Sequence, residues 1–404
     1  MNMPPRPKVA ASLVILPEEL IGEVLSLLPV KSLMPMKCVC MSWKTLISNP
    51  IFVKLHLKKQ STQNTTHFSL IRDNINGSSS VVSVSVSHLL ESTSKSLTLP
   101  DNPYYGLKFR FEFDVEIVGS CNGLICFESR YFTTEHCLHL WNPATRTKSK
   151  PLRSYYNPLY NMLWFGFRYD NSTDTYKVVV LSFNKDVPSD LPVRPKARVF
   201  TFGDNIWRDI KSFPVVVLLH RHNCFDEQND VYLSNSTNWL VRSQYNCRLK
   251  NLTIEQFVII SLDLGTETYT KFLLPRCCDE VPLDRSTLCV LMDCLCFSYN
   301  FKNTHLVLWK MNEFGVEESW TQFLKISYLN LQVKVYCFMD TGYVSHLTPL
   351  CLSENGDTLI FAIDNSKEAI LYDLRNNRVK RTVNTDMIKM STVNGYFESL
   401  VSTC

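Results

Sequence analysis

VEIVGSCNGLICFES (Val115–Ser129) and CLHLWNPATRTKSKPL (Cys137–Leu152) are two hairpins in succession. The first turns at Asn122–Gly123, a dipeptide that supplies the positive φ angles of a tight hairpin. The second turns at Asn142–Pro143, residues that open turns. Together they make a unit of four short antiparallel strands.

The unit returns along the chain. LWFGFRYDNSTDTYKVVVLSF (163–183) turns near Asp170–Asn171 and is followed by ARVFTFGDNIWRDIKSF (197–213). VYLSNSTNWLVR (231–242) turns at Asn235–Ser236 and precedes FVIISLDLGTETYTKFLLP (257–275). LCVLMDCLCFSY (288–299) turns near Asp293 and leads into HLVLWKMNEFGVEESWTQFLKI (305–326). PLCLSENGDTLIFAID (349–364) turns at Asn355–Gly356 before AILYDLRNNRVKRTV (369–383). Five such units lie between Val115 and about Thr385, at a spacing of roughly 50 to 60 residues, near the upper end of β-propeller blade periods.

A four-stranded unit cannot bury both faces alone, and radial stacking buries them while leaving only short edges. Further strand material stands at both ends: THFSLIR (66–72) and VVSVSVS (81–87) before the first unit, VNGYFESLVS (393–402) after the last. Pairing the two ends makes a sixth blade and closes a ring. A β-sandwich with Greek-key crossovers is the rival architecture; the repeat favours a propeller of about six blades.

The stretch LPEELIGEVLSLLPVKSLMPMKCVCMSWKTLI (16–47) is of another kind. Leu16, Leu20, Ile21, Val24, Leu25 and Leu28 form one face of a helix. Pro17 suits a first helical position, and Glu18 and Glu19 suit the positive end of the helix dipole. Pro29 breaks this helix. Val30–Leu33 starts a second, which Pro35 keeps short, and Val39, Trp43, Leu46 and Ile47 space out a third, stopped at Ser48–Asn49–Pro50. Three helices in so few residues bury little core of their own. They have two uses for their apolar surface: the first blade, or another protein. Six large side chains supply roughly 1.5–3 kcal/mol each on burial, before association costs.

This stretch resembles an F-box in the form common in plants, on Leu16–Pro17–Glu18–Glu19–Leu20, then LSLLPVKSL, then KCVCMSWKTLI. GSCNGLICF (119–127), LWNPATR (140–146), FGFRYDNSTDTYKVV (165–179) and LWKMNEFGVEESWTQ (308–322) are similar to the F-box-associated, kelch-like domain of plant F-box proteins. The resemblance implies an F-box at 12–50, a linker at 51–65 and the associated propeller domain at 66–404. It implies a Skp-type adaptor as partner, through it a cullin–RING ubiquitin ligase, and a client protein held by the β domain. Carried over by position, the adaptor-facing set is Leu16, Pro17, Leu20, Ile21, Val24, Leu28, Pro29, Val30, Leu33, Val39 and Trp43; some of these hold the helices together, and the sequence does not sort the two roles. Met34–Pro35–Met36 and Met41 depart from the family pattern, and a short or kinked second helix is expected there.

The bulk numbers agree with a folded receptor. Of 404 residues, 45% are hydrophobic and 20% charged, and the net charge is +4, too balanced to call for nucleic acid or an acidic membrane. No run approaches the roughly 20 apolar residues of a membrane span, and the apolar patch before Pro17 lacks a signal cleavage site. A cytoplasmic or nuclear location is expected, with the 15 cysteines as free thiols. No metal or cofactor is expected: His220–His222–Cys224 and His136–Cys137–His139 lack a second ligand pair. Neither a GxSxG elbow nor a phosphate-cradling glycine loop is present. The recurring Trp141, Trp164, Trp207, Trp239, Trp309 and Trp320 are expected between blades.

The resemblance implies a non-catalytic function: a substrate-recognition subunit of a ubiquitin ligase of the Skp–cullin–F-box (SCF) type. The alternatives are an adaptor-binding protein that directs no degradation, and a metal-dependent propeller enzyme. Client contacts are expected on the longer connections near Asn184–Pro195, His220–Asp230 and Cys277–Arg285.

Overall fold

The computed structural model describes residues 17–60, 67–73, 79–91, 96–97, 106–108, 113–131, 135–152, 155–156, 160–184, 192–204, 206–218, 230–242, 254–275, 286–302, 304–333, 347–363, 368–384 and 388–403. It has N-terminal helices followed by six antiparallel sheets arranged as blades.

The helices begin one residue after Pro17, Pro29 and Cys40, which serve as their N-caps; Pro17 thus stands just before the first helical position expected for it. In α1 (Glu18–Leu25) the carbonyl of Pro17 accepts from the Ile21 amide at 3.1 Å, and two glutamates occupy the first turn. Pro29 opens α2 (Val30–Met36), accepting from Ser32 and Leu33. Pro35 lies inside α2, which ends one residue later, so the expected short helix is observed. The Cys40 thiol accepts from the Trp43 amide at 3.5 Å and caps α3 (Met41–Ser48).

The stretch 51–65, expected as a linker, instead carries a further helix, α4 (Pro50–Gln60). Asn49 ends one helix and starts the next: its N–H donates to the Leu46 carbonyl, while its Oδ1 accepts from the Ile51 amide at 2.8 Å. Pro50 then takes the first helical position, where no N–H is needed. Phe52 and His56 of α4 are buried, Phe52 within the same cluster as Leu25, Val30, Leu33 and Ile47.

Five blades are four-stranded meanders in chain order. Blade 1 is Phe113–Cys121, Leu124–Tyr131, Glu135–Asn142 and Thr147–Lys148. Blade 2 is Tyr160–Asp170, Thr175–Asn184, Lys196–Thr201 and Ile206–Asp209. Blade 3 is Asp230–Leu233, Ser236–Arg242, Phe257–Asp263 and Tyr269–Leu273. Blade 4 is Thr287–Leu291, Cys294–Phe301, His305–Met311 and Trp320–Ser327. Blade 5 is Leu347–Leu352, Thr358–Ile363, Glu368–Asp373 and Arg378–Asn384, with Ser96–Leu97 added in parallel at its outer edge.

Blade 6 closes the ring. Ile388–Tyr396, from the end of the chain, pairs with His67–Asp73, which pairs with Ser79–Ser85 and then Gly106–Lys108. His67 stands opposite Tyr396, and the closing strand touches the inner strands of blades 1 and 5. The apolar residues sit in the seams between blades: Phe167 with Leu138 between blades 1 and 2, Trp239 with Val199 between 2 and 3, Trp309 with Ile259 between 3 and 4. Tyr372 and Leu308 join blades 4 and 5, Phe68 and Ile360 join 5 and 6, and Trp141 and Tyr396 join 6 and 1. Six seams leave no open sandwich edge, which settles the architecture for the propeller.

The meander sorts the connections by face. Within blades 1 to 5 the first-to-second and third-to-fourth strand turns fall on one face of the disc, and all other connections fall on the other. The turn face is chemically regular. Asn122–Gly123, Ser234–Asn235 and Met292–Asp293 carry paired positive φ angles of 50° to 79°, the Ser234–Asn235 turn lying one residue earlier than expected. Asn142, Asp263 and Asp373 occupy equivalent third-strand ends, and each side-chain oxygen accepts backbone N–H groups two or three residues on.

Candidate functional site

The helices offer apolar side chains in two directions. Inward, Val30, Leu33, Leu25, Ile47 and Phe52 are buried together, with Ile21, Leu28 and Trp43 half-buried against them. Outward, Leu20, Val24 and Leu27 follow one another at spacings of four and three along α1 and its following turn, one face of a helix. Val39 stands in the turn between α2 and α3, Met41 at the start of α3, and Ile51 at the start of α4. These six range from 53% exposed (Leu20) to 78% (Ile51), and they are six of the ten large hydrophobic residues exposed among the described residues.

The expected adaptor-facing set therefore divides. Pro17, Leu20, Val24, Pro29 and Val39 are exposed; Ile21, Leu28 and Trp43 are half-buried; Val30 and Leu33 are buried in the helical core. Leu16 lies outside the described residues. Leu27, Met41 and Ile51 were not in the set. The signal for Leu27 was available: it continues the Leu20–Val24 row, a second apolar face beside the Ile21–Leu25–Leu28 row. Met41 replaces a position commonly basic in the family and extends the apolar surface.

The frame behind these residues is polar and tied. His56 Nε2 donates to the Leu28 carbonyl at 3.0 Å; burial pushes the His56 pKa down, and this hydrogen bond opposes the shift. Lys59 donates to Ser26 Oγ at 2.7 Å and pairs with Glu23, clamping α4 to the end of α1.

The cluster also meets the propeller on its turn face. Ala144, in the third-to-fourth strand turn of blade 1, and Leu400, beyond the closing strand, pack against the helical core. Lys54 of α4 pairs with Asp174 in the first-to-second strand turn of blade 2, and Lys31 of α2 lies 3.9 Å from Glu398. The helices thus place part of their apolar surface against the first blade and leave part outward, exposed.

The strands that border the connections near Asn184–Pro195, His220–Asp230 and Cys277–Arg285 end on the opposite face; most residues of those connections, His220, His222 and Cys224 among them, lie outside the described residues. His136 pairs with Glu128, and His139 Nε2 lies 3.1 Å from Ser129 Oγ while its ring stacks on Phe127. Among the described residues no group of three or more His, Cys, Asp or Glu could hold a metal ion, nine cysteines are free, and no helix is long and apolar enough to cross a membrane.

Comparison with known proteins agrees with this division. An F-box domain family matches residues 13–55, and an F-box associated beta propeller domain family matches residues 75–403. An F-box/kelch-repeat protein of Arabidopsis thaliana is 26% identical over 96% of this chain and 95% of its own length. The F-box protein CPR1 of the same plant is 24% identical over 90% of this chain and 83% of its own. With helices that match one family and six blades that match the other, the chain belongs to the F-box proteins that carry an F-box associated beta propeller domain.

Proposed function

We propose that this chain is the substrate-recognition subunit of an SCF-type ubiquitin ligase. The observation that carries the reading is the outward apolar row Leu20, Val24 and Leu27, with Val39, Met41 and Ile51, on a helical cluster whose other side is already committed to the propeller. Exposed apolar surface concentrated on one small element marks an interaction site. A Skp-type adaptor is the occupant that membership of the F-box family supplies, and a cullin joins through it. Cytoplasm and nucleus are the compartments where such a complex works.

The role is one of proximity. The adaptor side sits on the turn face of the propeller, so the opposite face, with the long connections, is free to hold a client protein. Holding the client near a charged conjugating enzyme raises the effective concentration of its lysines, and the ubiquitin-bearing cysteine belongs to another protein.

Reconstitution tests this. The full chain, a recombinant plant Skp-type adaptor and a cullin N-terminal domain are expected to co-elute as one ternary complex. A chain that binds the adaptor and yet excludes the cullin contradicts the ligase role. Replacing the three long connections together is expected to abolish client capture and leave the ternary complex intact.

A further inference from the structure

Beyond the closing strand the chain continues as Phe397–Thr403, a strap without regular secondary structure that runs along the turn face of blade 1 beneath the helices. It is anchored at both levels. On the propeller side the Asn142 amide donates to the carbonyls of Ser399 (3.1 Å) and Val401 (2.7 Å), and Ser399 Oγ donates to the Asn122 carbonyl at 2.6 Å. Gly123 lies against it: a Cβ there would stand 2.6 Å from the Ser399 Cβ and 2.8 Å from the Phe397 carbonyl oxygen, at a φ of +79°. On the helical side Leu400, 5% exposed, belongs to the core formed by Leu25, Val30, Leu33, Ile47 and Phe52. Glu398 lies 3.9 Å from Lys31 and 3.8 Å from His67, where the chain enters blade 6.

We infer that this strap is a working part of the F-box. Leu400 completes a core that the helices alone leave short, and Asn142, Gly123 and Ser399 hold Leu400 in place. The adaptor-docking helices thus depend on residues from the other end of the chain, and their orientation on the propeller is fixed. Asn142 and Gly123 act as positioning residues: they touch the strap and hold Leu400 where α2 and α4 need it. The consequence for binding rests on the adaptor reading above; the consequence for the helices does not.

The physical basis is the size of the helical module. A cluster this small is marginal by itself, and one buried leucine is a large share of its core. An anchor that makes its hydrogen bonds within the rigid blade supplies that leucine at little further ordering cost.

The test is hydrogen exchange on the full chain, paired with adaptor binding. In Leu400→Asp, and in a chain ending at Tyr396, amide protection in α2 and α4 is expected to fall at least about tenfold, while the central strands of blades 3 and 4 keep theirs. Affinity for a recombinant plant Skp-type adaptor is expected to fall by about tenfold or more, with Leu400→Met restoring both readings. Unchanged protection of α2 and α4 in both altered chains overturns the inference. A wild-type chain that fails to bind the adaptor overturns the proposed function instead, and the exchange result still decides the strap.

Discussion

Arg168 of blade 2 donates to the Asp230 carboxylate of blade 3 at 2.8 Å and to its carbonyl at 3.2 Å, with both side chains buried. Arg168 also reaches the Phe167 carbonyl, and Gly119 of blade 1 makes room for it: a Cβ there would stand 2.6 Å from the guanidinium. One side chain therefore spans the inner strands of three blades. Burial pushes the Asp230 carboxyl up and Arg168 opposes it. Removing one partner leaves the other charge buried alone. Asp230→Ala is expected to cost about 3–5 kcal/mol, read as a drop in thermal midpoint, while Arg168→Met with Asp230→Leu recovers most of it. A single variant as stable as wild type contradicts this.

The two directions of the helical cluster separate binding from folding. Leu20→Asp and Val24→Asp are expected to change stability by no more than about 0.5 kcal/mol, because both side chains stand in water. Leu33→Ala and Ile47→Ala, both fully buried, are expected to destabilise the cluster by about 2–5 kcal/mol. Exchange protection of the α3 amides measures both. Loss of protection in Leu20→Asp would show that this residue faces inward.

Acid is expected to weaken the fold. Burial, aided by Lys31 beside His67 and Lys148 near His139, brings both histidines down to about 4 in the folded chain. Between the unfolded value of about 6.5 and that value the unfolded chain binds more protons, so stability is full above pH 6.5 and is lost as pH falls toward 4. Glu398, raised by burial, faces His67 and works the other way at the lower end of that window. The thermal midpoint is expected to fall from pH 7 to pH 5, less so in His67→Gln with His139→Gln. A midpoint that holds or rises over this interval contradicts the assignment.

Ring closure depends on Ile388–Tyr396. A chain ending at Asn384 leaves the His67–Asp73 edge and the seam around Trp141 and Tyr396 open. It is expected to unfold at lower temperature, less cooperatively, and to aggregate through the exposed edge. Unfolding as sharp as that of the full chain argues against closure by this strand.

The propeller was legible because each blade repeats its turn chemistry; Asn122–Gly123 and Asn355–Gly356 alone locate two of the ten hairpins. The closing blade was legible from leftover strands at both ends, but its C-terminal strand is Ile388–Tyr396, overlapping the expected stretch 393–402 only at its start; Phe397–Thr403 form the strap instead. α4 is not legible in the sequence because Ser48–Asn49–Pro50 carries a stop and a start in the same residues, and the stop masks the start. The sorting of Val30 and Leu33 inward from Leu20 and Val24 outward could not be read, since both rows are apolar and a propeller surface, absent from the local sequence, decides which is covered. Leu400 carries no local mark at all; its role comes from a contact between distant parts of the chain.

The outward face of α1 is the proposed adaptor site. The direct measurement is calorimetric binding of the purified full chain to a recombinant plant Skp-type adaptor, beside Leu20→Asp with Val24→Asp. A one-to-one complex is expected with the wild type and its loss in the double variant, at an unchanged thermal midpoint. A wild type that does not bind, or a double variant that binds as well as the wild type, contradicts it.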